Sequence, residues 1–398
     1  MEINFKDTDL PISNLVRSQE MPFIATLDKE AAGLSKQNKN IIKLSGGAPS
    51  HYPKELFSII EELGSNYDCT ILNYSPIDGY ENLRSLLATL VSDRYHEKYT
   101  NKNVLVCSGG CSGLFLVLKT LLNSNEKVLI PSPCWEYLPR IVENCGGASV
   151  RIDISQDINW EDFIKEIDQR IKNGIKIVCM NSPLNPTGKV IPISVKNEII
   201  KLCQRNKVWY VSDDVTIDFC YNNEDNCYIN NSDYFISINS FSKNLGITGF
   251  RFGFILANIK IIEQVKKSQL YTCMYPNSLI QKIVEKYLSK HLLSYYDYIK
   301  KVNLSYSSKA KTYFNILSKN KNLILNPIEG GLFFFPKIQD GYYLDYKKLL
   351  NEYFITVAPG QAFGLNMENH FRMFIGVDEK DFLKASRALE KVIYKNAV

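Results

Sequence analysis

Five stretches of this chain carry side chains that can do chemistry together, and each follows a short apolar run. In SFSKNLGITGFRFG (240–253), Lys243 stands three residues after Ser240, one after Ser242 and eight before Arg251. Two hydroxyls and a guanidinium so close in sequence make a phosphate-binding surface. The lysine can pair with such a phosphate or form a Schiff base with an aldehyde. Alone, it would read as a surface lysine in a Ser/Gly turn. SGGCSGL (108–114) opens a helical pattern, where free backbone N–H groups and glycines suit a phosphate, or make only a tight turn. PSPCWEY (131–137) brings Trp135, which can stack on a flat ring or simply pack in the core. NSPLNPTG (181–188) holds Asn185 in a proline-punctuated turn, and SDD (212–214) offers Asp213.

The runs that precede these stretches are VLVC (104–107), KVLIP (127–131), KIVCM (176–180), VWYVS (208–212) and YFISI (234–238), with FGFILA (252–257) after the last. They are nearly continuously apolar, as strands buried on both faces are. Helical patterns at 112–123, 160–173 and 193–206 separate several of them. Such alternation predicts an α/β fold with a mostly parallel sheet covered on both sides, and its carboxyl edge is where ligands bind. After Asn277 the pattern changes. A long helix is expected over about 278–318, strands at LFFFPKI (332–338) and FRMFIG (371–376), and a closing helix over 379–394. With a helix near 18–37, both chain ends are expected to build a smaller α+β domain. The expected division is 1–50 for the N-terminal arm and part of the small domain, 51–277 for the large domain, and 278–398 for the linking helix and the rest of the small domain.

Composition excludes several classes. The 398 residues are 45% hydrophobic and 22% charged, which is globular and not disordered or fibrous. A net charge of +5, spread over scattered lysine pairs, does not suggest nucleic acid. No apolar stretch reaches the roughly 18–20 residues of a membrane span, and no basic-then-apolar leader opens the chain, so a cytoplasmic location is expected. The ten cysteines form no CxxC and the four histidines lie far apart, so reduced thiols and no metal are expected. The N-x-S matches at Asn230 and Asn303 occur at chance level.

Together the five strand ends offer a phosphate site, an aromatic plate, an amide, a carboxylate and a lysine, the set that pyridoxal 5'-phosphate requires. The chain resembles the class I/II aminotransferases, fold-type I pyridoxal phosphate enzymes, from about Ile41 to Ile375. The resemblance rests on LSGGAP, YSPIDGYENLR, SGGCSGL, PSPCWEY, NSPLNPTG, SDD, SFSKNLGITGFRFG, VAPGQAFG and FRMFIG in that order. It implies a seven-stranded, mostly parallel sheet in the large, cofactor-binding domain. It also implies transfer between an L-amino acid and a 2-oxo acid, with Lys243 holding the cofactor as an internal aldimine and then carrying the proton. Asp213 would keep the pyridine nitrogen protonated, Asn185 would donate to the ring oxygen O3′, and Trp135 would stack on the ring. Ser240, Ser242, Arg251 and the backbone N–H groups of Gly110 and Cys111 would bind the phosphate. Tyr74 would reach the phosphate of a neighbouring subunit, which implies a homodimer with shared active sites. Arg372 would fork onto the substrate α-carboxylate beside the backbone of Gly47.

One position departs from the family pattern: Thr216 stands where a tyrosine usually contacts O3′. Rival readings start from the same residues. Ser240 and Lys243 fit the S-x-x-K of serine acyl-transfer enzymes, but no K-T-G follows. A transcriptional regulator would need an added DNA-binding module that has no residues left to build it. A lyase, cyclase or oxidase on the same scaffold is the nearer alternative, since a fold does not fix the reaction. The substrate side chain is not legible; the 15–40 segment, the N-terminal arm and residues near Tyr271 are expected to shape its pocket.

Overall fold

The structure, a computed structural model, describes residues 11–36, 39–65, 69–154, 157–221 and 232–396. The N-terminal arm up to residue 10 and Asn230 lie outside them. Seven strands form the central sheet: β1 Val104–Cys107, β2 Lys127–Ser132, β3 Ala148–Asp153, β4 Ile175–Asn181, β5 Trp209–Asp213, β6 Phe235–Ser240 and β7 Gly253–Ala257. Their spatial order is β1-β7-β6-β5-β4-β2-β3. Only β7 runs against its neighbours β1 and β6; every other pair is parallel. The carboxyl ends of β1, β2, β4, β5 and β6 therefore open on one edge, and β7 starts there.

Six of the strands were legible because helices cover both of their faces. On one face Leu105, Ile130, Ile177 and Ile236 pack under the helices Gly110–Leu121, Tyr137–Asn144 and Ile259–Leu270. On the other, Val106, Leu129, Val178 and Tyr210 pack under Glu81–Tyr95, Trp160–Lys172 and Ile193–Arg205. β3 escaped the hydrophobic pattern for a physical reason. It is an edge strand, half-buried over its first four residues, and carries Ser149, Arg151 and Asp153.

A second core gathers Phe334, Phe371, Met373, Phe382 and Leu389, with Tyr313 stacked on Phe382 at 3.8 Å. Both chain ends feed it. Ile42–Lys43 pairs in parallel with Ile355–Thr356, while Phe371–Phe374 pairs with Phe333–Phe334 on one side and Ala358–Pro359 on the other. The run LFFFPKI is not one strand. It breaks at Phe335-Pro336, because proline has no N–H for a ladder, and its halves Phe333–Phe334 and Lys337–Ile338 join different sheets. The helix Ser278–Leu317 joins the cores: Ile283, Val284 and Tyr287 pack on the sheet, and Tyr306, Tyr313 and Leu317 on the second core. Asn277 caps it through its side chain, 2.9 Å from the amide of Ile280, and the helical geometry breaks at His291. The N-terminal helix is Phe23–Ser35. Among the described residues, no helix is long and apolar enough to cross a membrane.

Candidate active site

The shared sheet edge opens into a cavity of about 1020 Å³. Gly47, Gly110, Cys111, Trp135, Asn185, Asp213, Ser240, Ser242, Lys243, Arg251 and Arg372 all line it, as does Thr216. Strand register explains much of this gathering. Asn181 lies opposite Asp213, and Asp213 opposite Ile238, so β4 and β5 end level and β6 runs two residues further, to Ser240. Gly253 at the start of β7 lies opposite both Cys107 and Ser240.

Lys243 stands in a single helical turn, Phe241–Asn244, directly after β6. Ser240 caps that turn by accepting from the amide of Ser242 at 3.1 Å, and its hydroxyl donates to the carbonyl of Phe252 at 2.8 Å. A serine so committed at both ends is no free nucleophile, which removes the acyl-transfer reading. The amine of Lys243 donates to the carbonyl of Gly47 at 2.6 Å.

The junction of β1, β7 and β6 is built to take an anion. Gly109 precedes the helix Gly110–Leu121 with φ of +92°, and no side chain caps that helix. The first-turn N–H groups are thus left to whatever binds there. A Cβ on Gly109 would stand 2.7 Å from Nη2 of Arg251, so the guanidinium lies directly over the glycine. The other side of the same guanidinium donates to the carbonyl of Thr248 at 3.0 Å. Arg251, the Ser242 hydroxyl and the helix N-terminus together fit a phosphate group.

Asp213 and Asp214 follow each other at the end of β5 and face opposite ways, as neighbouring strand residues do. Asp214 is turned into the protein. It pairs with Lys196 at 3.2 Å and accepts from Ser212, Tyr95 and Ser237 at 2.7, 2.6 and 2.5 Å. Asp213 faces the cavity, and burial pushes its carboxyl up to about 7; the amide of Val215 and the charge of Lys243 oppose this, and Asp214 reinforces it. Burial also brings the Lys243 amine down to about 8, helped by the charges of Arg372 and Arg251 and resisted by Asp213. Both groups therefore exchange protons near neutral pH, the condition for acid–base work.

Arg372 is 3% exposed on the strand Phe371–Phe374. Its Nη1 donates to Oδ1 of Asn185 at 3.0 Å and its Nη2 to the carbonyl of Ser45 at 2.6 Å. Phe333 and Phe363 lie against the guanidinium, 4.0 and 4.7 Å from ring centre to its central carbon. Nε is buried without a partner among the described residues. Burial lowers the proton affinity of the group, and Glu136 and Tyr137 oppose that change. A guanidinium held charged with a donor unspent is suited to a carboxylate.

Trp135 leans on Tyr137 at 5.0 Å, and both line the cavity. The hydroxyl of Thr216 donates to the carbonyl of Pro183 at 3.4 Å. Tyr74 does not line the cavity of its own chain. It is 82% exposed, with its ring 4.7 Å from Tyr275. Tyr271, expected near the pocket, is also exposed and absent from its wall, whereas Ile24 and Asp28 of the N-terminal helix do line it. Reading the sequence missed Ser45, Glu136, Phe333 and Phe363. The aromatic run at 333–335 signalled only a strand. Glu136 seats the N-terminal helix, accepting from the amides of Phe23 and Ile24 at 2.6 and 3.4 Å, a contact across 113 residues with no local signal. The amide of Asn303 donates to the carbonyl of Cys220 at 2.8 Å.

The chain is similar to known proteins along most of its length. The aspartate aminotransferase of Thermotoga maritima is 25% identical over 363 residues, covering 87% of this chain and 91% of that protein. The aromatic-amino-acid aminotransferase 2 of Thermococcus litoralis is 26% identical over 378 residues, covering 90% and 93%. In fold, the aspartate aminotransferase from Thermus thermophilus with maleate superposes with a TM-score of 0.86 at 20% identity, covering 96% of this chain and 99% of that one. The family model "Aminotransferase class I and II" matches residues 39–389, and the chain belongs to that family of aminotransferases.

Proposed function

We propose that this protein moves an amino group from an L-amino acid to a 2-oxo acid, using pyridoxal 5'-phosphate held at Lys243, as a cytoplasmic homodimer. The observation that carries the reading is the Lys243 amine, brought down to about 8 at the meeting point of Asp213, Arg251 and Arg372. The cofactor supplies an aldehyde to bind the amino group and a protonated ring to accept the electrons freed at the substrate's Cα. The chain's own residues do the rest. Arg251, Ser242 and the amides of Gly110 and Cys111 would hold the phosphate, with Ser240 fixing the turn that presents Ser242, and Trp135 would cover the ring. Asp213, ionised, would hold the proton on the ring nitrogen. Nδ2 of Asn185, left free while Oδ1 serves Arg372, would donate to O3′. Arg372, beside Gly47, would bind the α-carboxylate and turn the Cα proton toward Lys243, which takes and returns it.

Relatives named for aspartate and for aromatic amino acids support an L-amino acid substrate. They also favour transfer over a lyase, cyclase or oxidase. The exposed Tyr74, beside the exposed Leu72, supports a second subunit that receives it. Borohydride reduction of the protein loaded with pyridoxal phosphate, followed by peptide mapping, tests the site: the pyridoxyl group is expected on Lys243, and a label elsewhere overturns it. Recovery of the swapped keto acid and amino acid in equal amounts tests the reaction.

A further inference from the structure

We infer that His51 is a positioning residue that holds the turn carrying Lys243 and so sets where the Lys243 amine stands. The inference rests on the reading of Lys243 as the cofactor lysine. His51 lies four residues after Gly47, in the segment that enters the sheet edge from the N-terminal side. Its Nε2 is 3.1 Å from the carbonyl oxygen of Lys243 and 3.1 Å from that of Asn244. Carbonyl oxygens only accept, so Nε2 carries the proton. The carbonyl of Gly47, in the same segment, accepts from the Lys243 amine at 2.6 Å. One short segment thus grips the lysine at both ends, backbone and amine.

The backbone fit agrees. Gly246 follows the lysine turn with φ of +67°, and a Cβ there would run into the carbonyl of His51. The turn and the His51 segment touch so closely that only glycine fits between them. Behind the imidazole, Tyr306 of the long helix meets it edge-on at 5.5 Å, with its hydroxyl 3.5 Å from Nδ1, and Tyr298 lies at 6.3 Å. The charge facing the ring is that of Lys309. Burial lowers the proton affinity of His51 and the two carbonyls oppose this, but Nε2–H donates in either protonation state. The grip is therefore independent of His51's own titration. Asn244 has a second anchor, its amide donating to Asp218 at 2.7 Å, which in turn pairs with Arg94 at 2.9 Å. Loss of the imidazole frees Lys243 while the turn as a whole stays folded.

The test compares the protein with its His51→Phe and His51→Gln variants, all free of cofactor. Acetic anhydride is applied across a pH series, and mass spectrometry reads acetylation of the Lys243 peptide against surface lysines. Unsubstituted protein is expected to show a midpoint near 8. His51→Phe keeps a ring but loses the donor, so water reaches the amine and the midpoint moves up toward ordinary lysine. Uptake of pyridoxal phosphate should slow about tenfold at pH 8, less than the roughly 100-fold a 1 Å displacement can cause. His51→Gln, with an amide N–H for the carbonyls, should recover most of both. An unchanged midpoint and uptake rate in His51→Phe overturn the inference, and so does His51→Gln performing no better than His51→Phe. Failure of the reading of Lys243 itself looks different: the unsubstituted protein then takes up no pyridoxal phosphate or carries it on another lysine, while the acetylation midpoints still decide the role of His51.

Discussion

At the scale of single residues, the site is an exercise in moving proton affinities by burial. Lys243 attacks an aldehyde only as the free amine, and its folded value is lowered to about 8. The free fraction therefore grows as pH rises through 8. Stopped-flow uptake of pyridoxal phosphate should rise about tenfold per unit below that pH and level off above it. A rise that continues to the ordinary lysine range would show that the amine is solvated. Arg372 depends on shape as much as charge. Arg372→Lys keeps the cation but loses the fork, so kcat/KM for α-amino acids should fall by roughly 1.5–3 kcal/mol, about 10- to 150-fold. Amines that lack the carboxylate should be unaffected. Thr216 has its hydroxyl on Pro183 and offers no phenol to the ring oxygen. A donor at O3′ stabilises the ionised oxygen and loosens the proton on the neighbouring imine nitrogen. Thr216→Tyr should therefore lower the pH at which the coloured band titrates, and identical midpoints would refute the argument.

Among the elements, the decisive joint is the one between β1, the helix Gly110–Leu121 and the turn before β7. Gly109 holds φ of +92° there, and a methyl group would stand 2.7 Å from the guanidinium of Arg251. Gly109→Ala should displace Arg251 from the anion site and weaken pyridoxal phosphate binding by about tenfold or more, since a charged hydrogen bond contributes about 1.5–3 kcal/mol. Equilibrium dialysis measures this, and unchanged affinity would place the phosphate elsewhere. Strain alone would lower Tm without changing the salt dependence of binding, which separates the two effects.

For the whole molecule, the question is the second subunit. Tyr74 is 82% exposed on its own chain and reaches none of that chain's cavity. Sedimentation should show a dimer. Mixing Tyr74→Phe subunits with Lys243→Ala subunits should give hybrids whose activity differs from both parents, because each site would then combine residues of two chains. A fully active monomer would contradict the shared site. The long helix Ser278–Leu317, bent at His291, packs on both cores and ties them together.

The sequence by itself determined the sheet strands that helices cover on both faces, because burial on both sides leaves an unbroken apolar run. It also determined the chemical set at their ends, since Lys243 and Asn185 follow their strands within a few residues, Asp213 ends its own, and Arg251 stands two residues before β7. It could not reveal β3, whose polar edge residues hide it, or the break at Pro336, where a single aromatic run serves two sheets. Least legible were contacts between distant segments. Glu136 on the N-terminal helix, Phe333 against Arg372, and His51 on the turn of Lys243 are each more than ten residues from what they touch. Which residue meets which across such distances is decided by packing of the whole chain, and local pattern carries no trace of it.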